Sequence, residues 1–317
     1  MATKLILDQG IEVLALTCAT PFNKCSHGQD CGCVVRRMTR KLGVELKVLD
    51  ISQDFLSMLK NPPYGFGSNM NPCIDCKILI FRKAKELMPQ VGASFLVSGE
   101  VLGQRPMSQK KPTLNAIVNN AGVKGILVRP LSAKLLEPTE PEKNGWIDRE
   151  KLLGISGRGR KDQLALAEKF GITDFSAPAG GCFLTNEGYS KKIEDLIKHN
   201  TLSLDNVGIL KIGRHFRISP KFKLIVGRDE KDNLKLLDAP QAGDLIFEPS
   251  DEIKGPVALG RGEFTDREIE ACAKIIAKYC DKNSSDIQIR VRAHLSDFRK
   301  LISCLPFQDS DLSCYRI

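Results

Sequence analysis

Ala93-Ser94-Phe95-Leu96-Val97-Ser98-Gly99-Glu100 is an apolar run that stops on a glycine and an acid, and it follows a helical pattern over residues 74–88. The same alternation recurs upstream. A short helix over residues 2–9 stops at Gly10, and residues 11–17 read as a strand. A helix carrying Arg36, Arg37, Arg40 and Lys41 closes at Gly43, residues 45–50 read as a strand, and Ser52 opens a helix reaching about Lys60. Alternating helices and uniformly apolar strands predict an α/β fold: a parallel sheet covered on both faces, with ligands at the carboxyl ends of the strands. Those ends are Thr17-Cys18, Asp50-Ile51 and Ser98-Gly99-Glu100.

Downstream the pattern changes. Helical periodicity dominates residues 115–200, including a helix over 161–170 ended by Gly171 and another over 190–199. Between residues 202 and 259, short apolar runs at 208–212, 223–226, 234–237, 244–247 and 257–259 alternate with turn residues, which signals antiparallel sheet. A helix over 266–279 and a strand over 287–291 follow. The expected organisation is therefore a parallel-sheet domain over 1–200 and a smaller α+β domain over 201–317.

The 317 residues are 42% hydrophobic and 27% charged, which excludes a disordered or fibrous chain. No apolar run approaches the ~20 residues of a membrane span. Lys4 and Asp8 interrupt the opening residues where a signal peptide needs an apolar core, so a cytoplasmic location with no membrane partner is expected. The formal charge of +9 is uneven: residues 1–200 hold 28 basic and 20 acidic side chains, residues 201–317 hold 19 and 18. An anionic partner such as nucleic acid fits that excess.

Eleven cysteines without an export signal point to thiols, metal ligands or catalytic groups rather than disulfides. Cys73 and Cys76 stand one turn apart at a predicted helix start, where backbone amides lower thiol pKa values and favour the thiolate. Cys182 follows Gly180-Gly181, two glycines that let backbone approach a bound group closely. Three thiolates can hold a 4Fe-4S cluster with one iron open, two can pass a persulfide and close a disulfide, and with a fourth ligand they can form a zinc staple. Cys25, His27, Cys31 and Cys33 form a second cysteine-rich loop, and Cys272, Cys280, Cys304 and Cys314 read as structural.

Asn71-Pro72-Cys73-x-x-Cys76, the strand ending Ser98-Gly99-Glu100, the helix over 160–170 and Gly181-Cys182-Phe183 follow the order seen in the PP-loop tRNA thiouridylases, which over residues 1–195 this chain resembles. Gly99-Glu100-Val101-Leu102-Gly103-Gln104-Arg105-Pro106-Met107-Ser108-Gln109 is similar to a subgroup associated with 4-thiouridine or 2-thiouridine synthesis. The resemblance implies a Rossmann-like, adenine nucleotide alpha hydrolase-like fold and a tRNA sulfurtransferase activity. ATP with Mg²⁺ would activate a uridine carbonyl, and sulfur from sulfide or a cysteine desulfurase persulfide would displace AMP. Carried over by position, Cys73, Cys76 and Cys182 become cluster ligands, Cys76 and Cys182 the catalytic pair, and Thr17, Gly99 and Glu100 nucleotide-facing residues. The family's Ser-Gly-Gly-x-Asp-Ser loop and the first strand before it have no counterpart, so the chain reads as N-terminally truncated. A rival reading is a non-catalytic RNA-binding protein with a structural zinc or iron–sulfur site, left after loss of that loop.

Arg158 and Arg160 concentrate charge before a helix. Six basic residues, among them Arg214, Arg217, Lys221 and Lys223, face one acid across residues 205–228. This segment, with residues 224–233 and 255–257, resembles the RNA-binding domain of the NFACT proteins over about 203–292. That implies an RNA-docking module; with the charged loop before the 161–170 helix, the expected tRNA contacts are Arg158, Arg160, Arg214, Arg217, Lys221 and Lys223, with a homodimer left open as the assembly.

Overall fold

The computed structural model describes residues 1–23, 33–175, 181–250, 253–281 and 286–317. The chain divides into two compact units, Met1–Thr185 and Asn186–Ile317.

In the first unit, α1 (Ala2–Leu7) is followed by β1 (Ala15–Ala19), α2 (Val34–Leu42), β2 (Leu46–Asp50), α3 (Ser52–Leu59), α4 (Cys73–Leu87), β3 (Leu96–Val97), α5 (Lys111–Asn120), β4 (Leu127–Val128), α6 (Glu140–Lys143) and α7 (Lys161–Lys169). Each helix stop has a local cause. Gly43, for instance, takes the left-handed conformation at φ +66° and caps α2. Both strand pairs are parallel as expected: β1 runs beside β2 from Ala15↔Leu46 to Ala19↔Asp50, and β3 beside β4 at Leu96↔Leu127 and Val97↔Val128.

They do not merge, however, into the expected continuous sheet. β1 and β3 each have one neighbour among the described residues. A cavity of about 580 Å³ lies between them, lined by Leu16 and Cys18 of one and Leu96 and Val97 of the other, with Ile6, Phe81 and Leu87 alongside. A parallel pair is stable only when buried on both faces. The cores are accordingly local: Ile78, Ile117, Val118 and Leu127 bury α4 against α5 and β4, and Ile6, Val128, Ile147 and Leu152 form a separate cluster. The first strand also starts later than its apolar sequence suggests, because residues 11–14 stay outside the ladder.

In the second unit, α8 (Glu187–Lys198) and α9 (Leu204–Gly208) precede β5 (Arg214–Ser219), β6 (Phe222–Val226), α10 (Glu230–Leu237), β7 (Leu245–Pro249), β8 (Ala258–Gly262), α11 (Asp266–Ala277), β9 (Ile287–Ala293), β10 (Arg299–Cys304) and α12 (Asp309–Ser313). α8 falls in this unit, so the division comes before residue 200. The strands form one antiparallel sheet in the order β10-β9-β7-β8-β6-β5. Two apolar runs expected to be strands are helical. Residues 209–211 form a 3₁₀ turn, and Leu234 to Leu237 complete α10, whose start is set by the Asp229 side chain accepting from the Asp232 backbone N–H at 2.9 Å. β5 and β10 were not expected.

One sheet face packs against α11 through Phe222, Leu224, Phe247, Cys272, Ile275 and Ile276. Cys272, Cys280 and Cys304 are buried, as their apolar surroundings predict, whereas Cys314 is exposed. No described helix is long and apolar enough to cross a membrane.

Candidate functional site

The three singled-out cysteines share one neighbourhood near the carboxyl end of β1. Beyond that strand, Asn23 forms an antiparallel bridge with Cys182, and the Phe183 backbone N–H donates to the Phe22 carbonyl at 2.9 Å. The Asn23 side chain donates to the Cys18 carbonyl at 3.0 Å, fastening this turn to the strand. Phe22 is fully buried with its ring 5.1 Å from that of Phe55, so the turn is anchored in the core. Asn69 donates to the Thr185 carbonyl at 2.9 Å and holds the far side of the Cys182 segment beside the loop that leads into α4.

Cys73 opens α4 and its thiol donates to the Asn71 side chain at 3.2 Å. Cys76, one turn on, lies within electrostatic reach of Cys182, Cys73 and Cys18. Cys18 is thus a fourth member of the neighbourhood that motif reasoning missed. Its position at a strand's carboxyl end was the available signal.

Cys76 is not the thiolate that a helix start was expected to give. Burial pushes Cys76 up to about 12, reinforced by the neighbouring thiols, and burial alone takes Cys18 to about 11. Cys182 is raised as well, by burial, against the opposing Leu184 backbone N–H. The desolvation cost of a charged sulfur exceeds what the N-terminal amides of α4 return. Any cation bound here must displace protons.

Among the described residues no three His, Cys, Asp or Glu side chains converge closely enough to hold one metal ion. A zinc staple would need sulfurs about 2.3 Å from a common centre, which the described residues alone do not bring together. An iron–sulfur cluster takes each cysteine on a different iron. Three soft sulfur donors from two segments match it in chemistry. Cys33 starts α2, while Cys25, His27 and Cys31 lie outside the described residues. Gly180 lies outside them too, and at Gly181 a Cβ would meet nothing within 4 Å, so nothing crowds the backbone there.

One residue after Cys76, Lys77 joins the thiol neighbourhood to a polar corner. Its ammonium pairs with Glu100, whose second oxygen accepts from Arg129 at 2.8 Å and from the Ser98 hydroxyl at 3.2 Å. Burial by itself would raise the Glu100 carboxyl, but Lys77 and Arg129 outweigh it and hold the group below the usual carboxylate range. One buried guanidinium nitrogen of Arg129 has no hydrogen-bond partner among the described residues.

Gly99 and Glu100 line a cavity of about 350 Å³ together with Lys77, Arg105, Arg160 and Gln163. Thr17 pairs with Val48 inside β1 and lines neither this cavity nor the larger one. Arg158 is exposed. Arg160, expected on an RNA surface, turns to the Glu100 cavity and lies over the Phe175 ring at 5.7 Å from its centre.

The four basic residues expected to touch RNA in the second unit have mostly other work. Arg217 grips Asp195 with two hydrogen bonds of 3.0 and 2.6 Å, and the buried Lys223 reaches the same carboxylate at 3.2 Å. Burial lowers Lys223 to about 8, although Asp195 pulls the other way. Arg214 stacks over Tyr279, 4.6 Å from the ring centre, and donates to the Gly227 carbonyl. Lys221 remains on the surface, in an exposed pair with Glu263 worth little in water. The count of basic residues along 205–228 could not reveal this, because Asp195 lies outside that window.

Residues 213–316 match the family model of the NFACT protein RNA binding domain, so the second unit carries an RNA-binding domain. Among solved structures, the chain is similar to the C-terminal part of the fibronectin/fibrinogen-binding protein from Streptococcus suis. The two are 13% identical with a TM-score of 0.30, over 51% of this chain and 80% of that one. No curated protein matches the chain.

Proposed function

We propose that the chain is a tRNA sulfurtransferase-like enzyme, its first unit handling sulfur and its second holding RNA. The observation that carries this reading is the meeting of Cys182 with Cys73 and Cys76 at the carboxyl end of a parallel strand. Such ends are where α/β sheets bind ligands. ATP with Mg²⁺ would make the uridine oxygen a leaving group, and Lys77, Arg105 and Arg160 around the Glu100 cavity offer positive charge suited to its phosphates.

The sulfur step balances within the cysteine pair. A Cys76 persulfide takes its outer, sulfane sulfur from a desulfurase persulfide, whose own cysteine leaves as the thiol, and that terminal sulfur attacks the activated carbon as AMP leaves with the oxygen. Cys182 then attacks the Cys76 sulfur, releasing thiouridine and closing a disulfide that an external dithiol reduces. With three soft donors the same site can instead hold a 4Fe-4S cluster, which would supply an open iron for a sulfur ligand.

The test is anaerobic incubation with iron and sulfide, alongside persulfide trapping and thionucleoside analysis of tRNA from a deletion strain. A chromophore lost in both Cys76→Ser and Cys182→Ser, or a persulfide lost in Cys76→Ser and retained in Cys182→Ser, with a missing thiouridine, is expected. Stoichiometric zinc, no bound sulfur and unchanged tRNA would refute the reading. The RNA-binding match over residues 213–316 favours a second reading, a non-catalytic RNA-binding protein with a structural zinc or iron–sulfur site, which predicts RNA binding with no thionucleoside defect.

A further inference from the structure

The six-stranded sheet is covered unevenly on the face away from α11. Ile209, Leu236, Ile246 and Leu259 pack there over β6, β7 and β8. At β9 and β10 the buried and exposed residues alternate, and Gln288, Arg290 and Arg292 face outward beside Arg299, Leu301 and Ser303. The register sets Arg292 directly opposite Arg299, with Arg290 opposite Leu301, a leucine that is 58% exposed.

Like charges directly opposite on an antiparallel pair are destabilising. Elsewhere the same sheet meets the problem with a buried acid: Arg217 lies opposite Lys223, and Asp195 bridges both. The Arg292–Arg299 pair has no such bridge. Arg292 pairs with Glu248, donating to it at 3.3 Å, whereas Arg299 donates to the Ser296 and Phe298 carbonyls at 2.8 Å, which satisfies its N–H groups without neutralising its charge. Arg299 has no acidic partner among the described residues. A sheet that compensates one cation pair fully and the other on one side only leaves the Arg299 charge for an anion from outside.

We infer that the outer face of β9 and β10 is the surface on which this unit takes RNA. Arg292 and Arg299 contact backbone phosphates, and Leu301 lies under a ribose or base. The inference rests on the RNA-binding reading of residues 213–316 and names the face that performs it.

The experiment is a fluorescence-anisotropy titration of the full chain with labelled tRNA across a salt series. Each lost phosphate contact flattens the slope of log K against log salt by roughly 0.7 to 0.9. R292A/R299A should therefore flatten it by about 1.4 to 1.8 and weaken binding at low salt at least tenfold, while R292K/R299K keeps both values near wild type. K231A/K235A removes the same charge from exposed positions on α10 and should leave the slope unchanged. Circular dichroism establishes that each variant is folded. Wild-type binding by R292A/R299A, or an equal loss in K231A/K235A, overturns the inference and leaves the RNA-binding reading standing. If the wild-type chain fails to bind tRNA, both fall together.

Discussion

Removing the Asp195 carboxylate tests the claim that Arg217 and Lys223 serve the fold rather than RNA. Asp195 lies on α8 and is 9% exposed; its two cationic partners lie on β5 and β6, in register across the strand pair. In Asp195→Ala both cations stay largely buried without a counter-charge, a change that costs about 3–5 kcal/mol. At 1.4 kcal/mol per factor of ten, amide protection in β5, β6 and β8 should fall by about a hundredfold to a few thousandfold, read by hydrogen exchange and mass spectrometry on peptides covering those strands.

A pH dependence accompanies the loss. Lys223 is already lowered to about 8 in the folded protein, so the unfolded chain binds more protons between that value and the ordinary lysine range, and stability rises with pH across this window. Wild type should gain about 1 kcal/mol from this lysine between pH 7 and 9. The variant should gain more, because without Asp195 the lysine is lowered further. D195L/R217M/K223M, which replaces the cluster by apolar groups, should recover most of the protection. A loss of protection below about tenfold in Asp195→Ala, or a variant that weakens as pH rises from 7 to 9, would refute the reasoning.

Three further outcomes follow from the geometry. At pH 8 a thiol raised to about 12 is roughly 10⁻⁴ thiolate, so iodoacetamide should label Cys76 in the native apoprotein about a thousandfold more slowly than in urea, and equal rates would contradict its burial. Glu100 is held below its ordinary value, so its contribution to stability is present above the usual glutamate pKa and disappears as pH falls through the lower folded one. Glu100→Gln should therefore destabilise the first unit at pH 7 and reduce its acid sensitivity in urea titrations; an unchanged midpoint at both pH 7 and pH 3.5 would rule this out. Gly262 sits at φ +116°, where a Cβ would land on the Lys221 carbonyl oxygen. Gly262→Ala should cost at least about 1–3 kcal/mol of strain, and a melting temperature equal to wild type would show that the β6–β8 end gives way freely.

Local signals gave most of the elements. Gly43 ended α2, Cys73 began α4, and the apolar alternation at 287–291 marked β9. Leu234 to Leu237 misled because a short apolar run has no period of its own, and the Asp229 cap five residues earlier decided for helix. β10 was hidden because Arg299-Lys300-Leu301 places a charged side chain on each face, with Lys300 reaching Asp266 on α11. Cys73, Cys76 and Cys182 were legible as a group from their motifs. Their protonation was not, because burial is a property of surroundings that the spacing of cysteines does not report. The Lys77–Glu100–Arg129 chain was equally out of reach, since it joins three segments separated by tens of residues.

The gap between β1 and β3 gives the first unit an inside that behaves like an outside. The sides of these two strands that face the cavity carry backbone N–H and C=O groups with no ladder partner, and such rows act as templates for any extended chain that reaches them. Their amides should exchange with solvent early, whereas those of β6 and β8, flanked on both sides, outlast them. Under concentration or mild heating the first unit is thus where self-association through strand pairing should begin, while the second, with its longer unbroken ladder, remains folded.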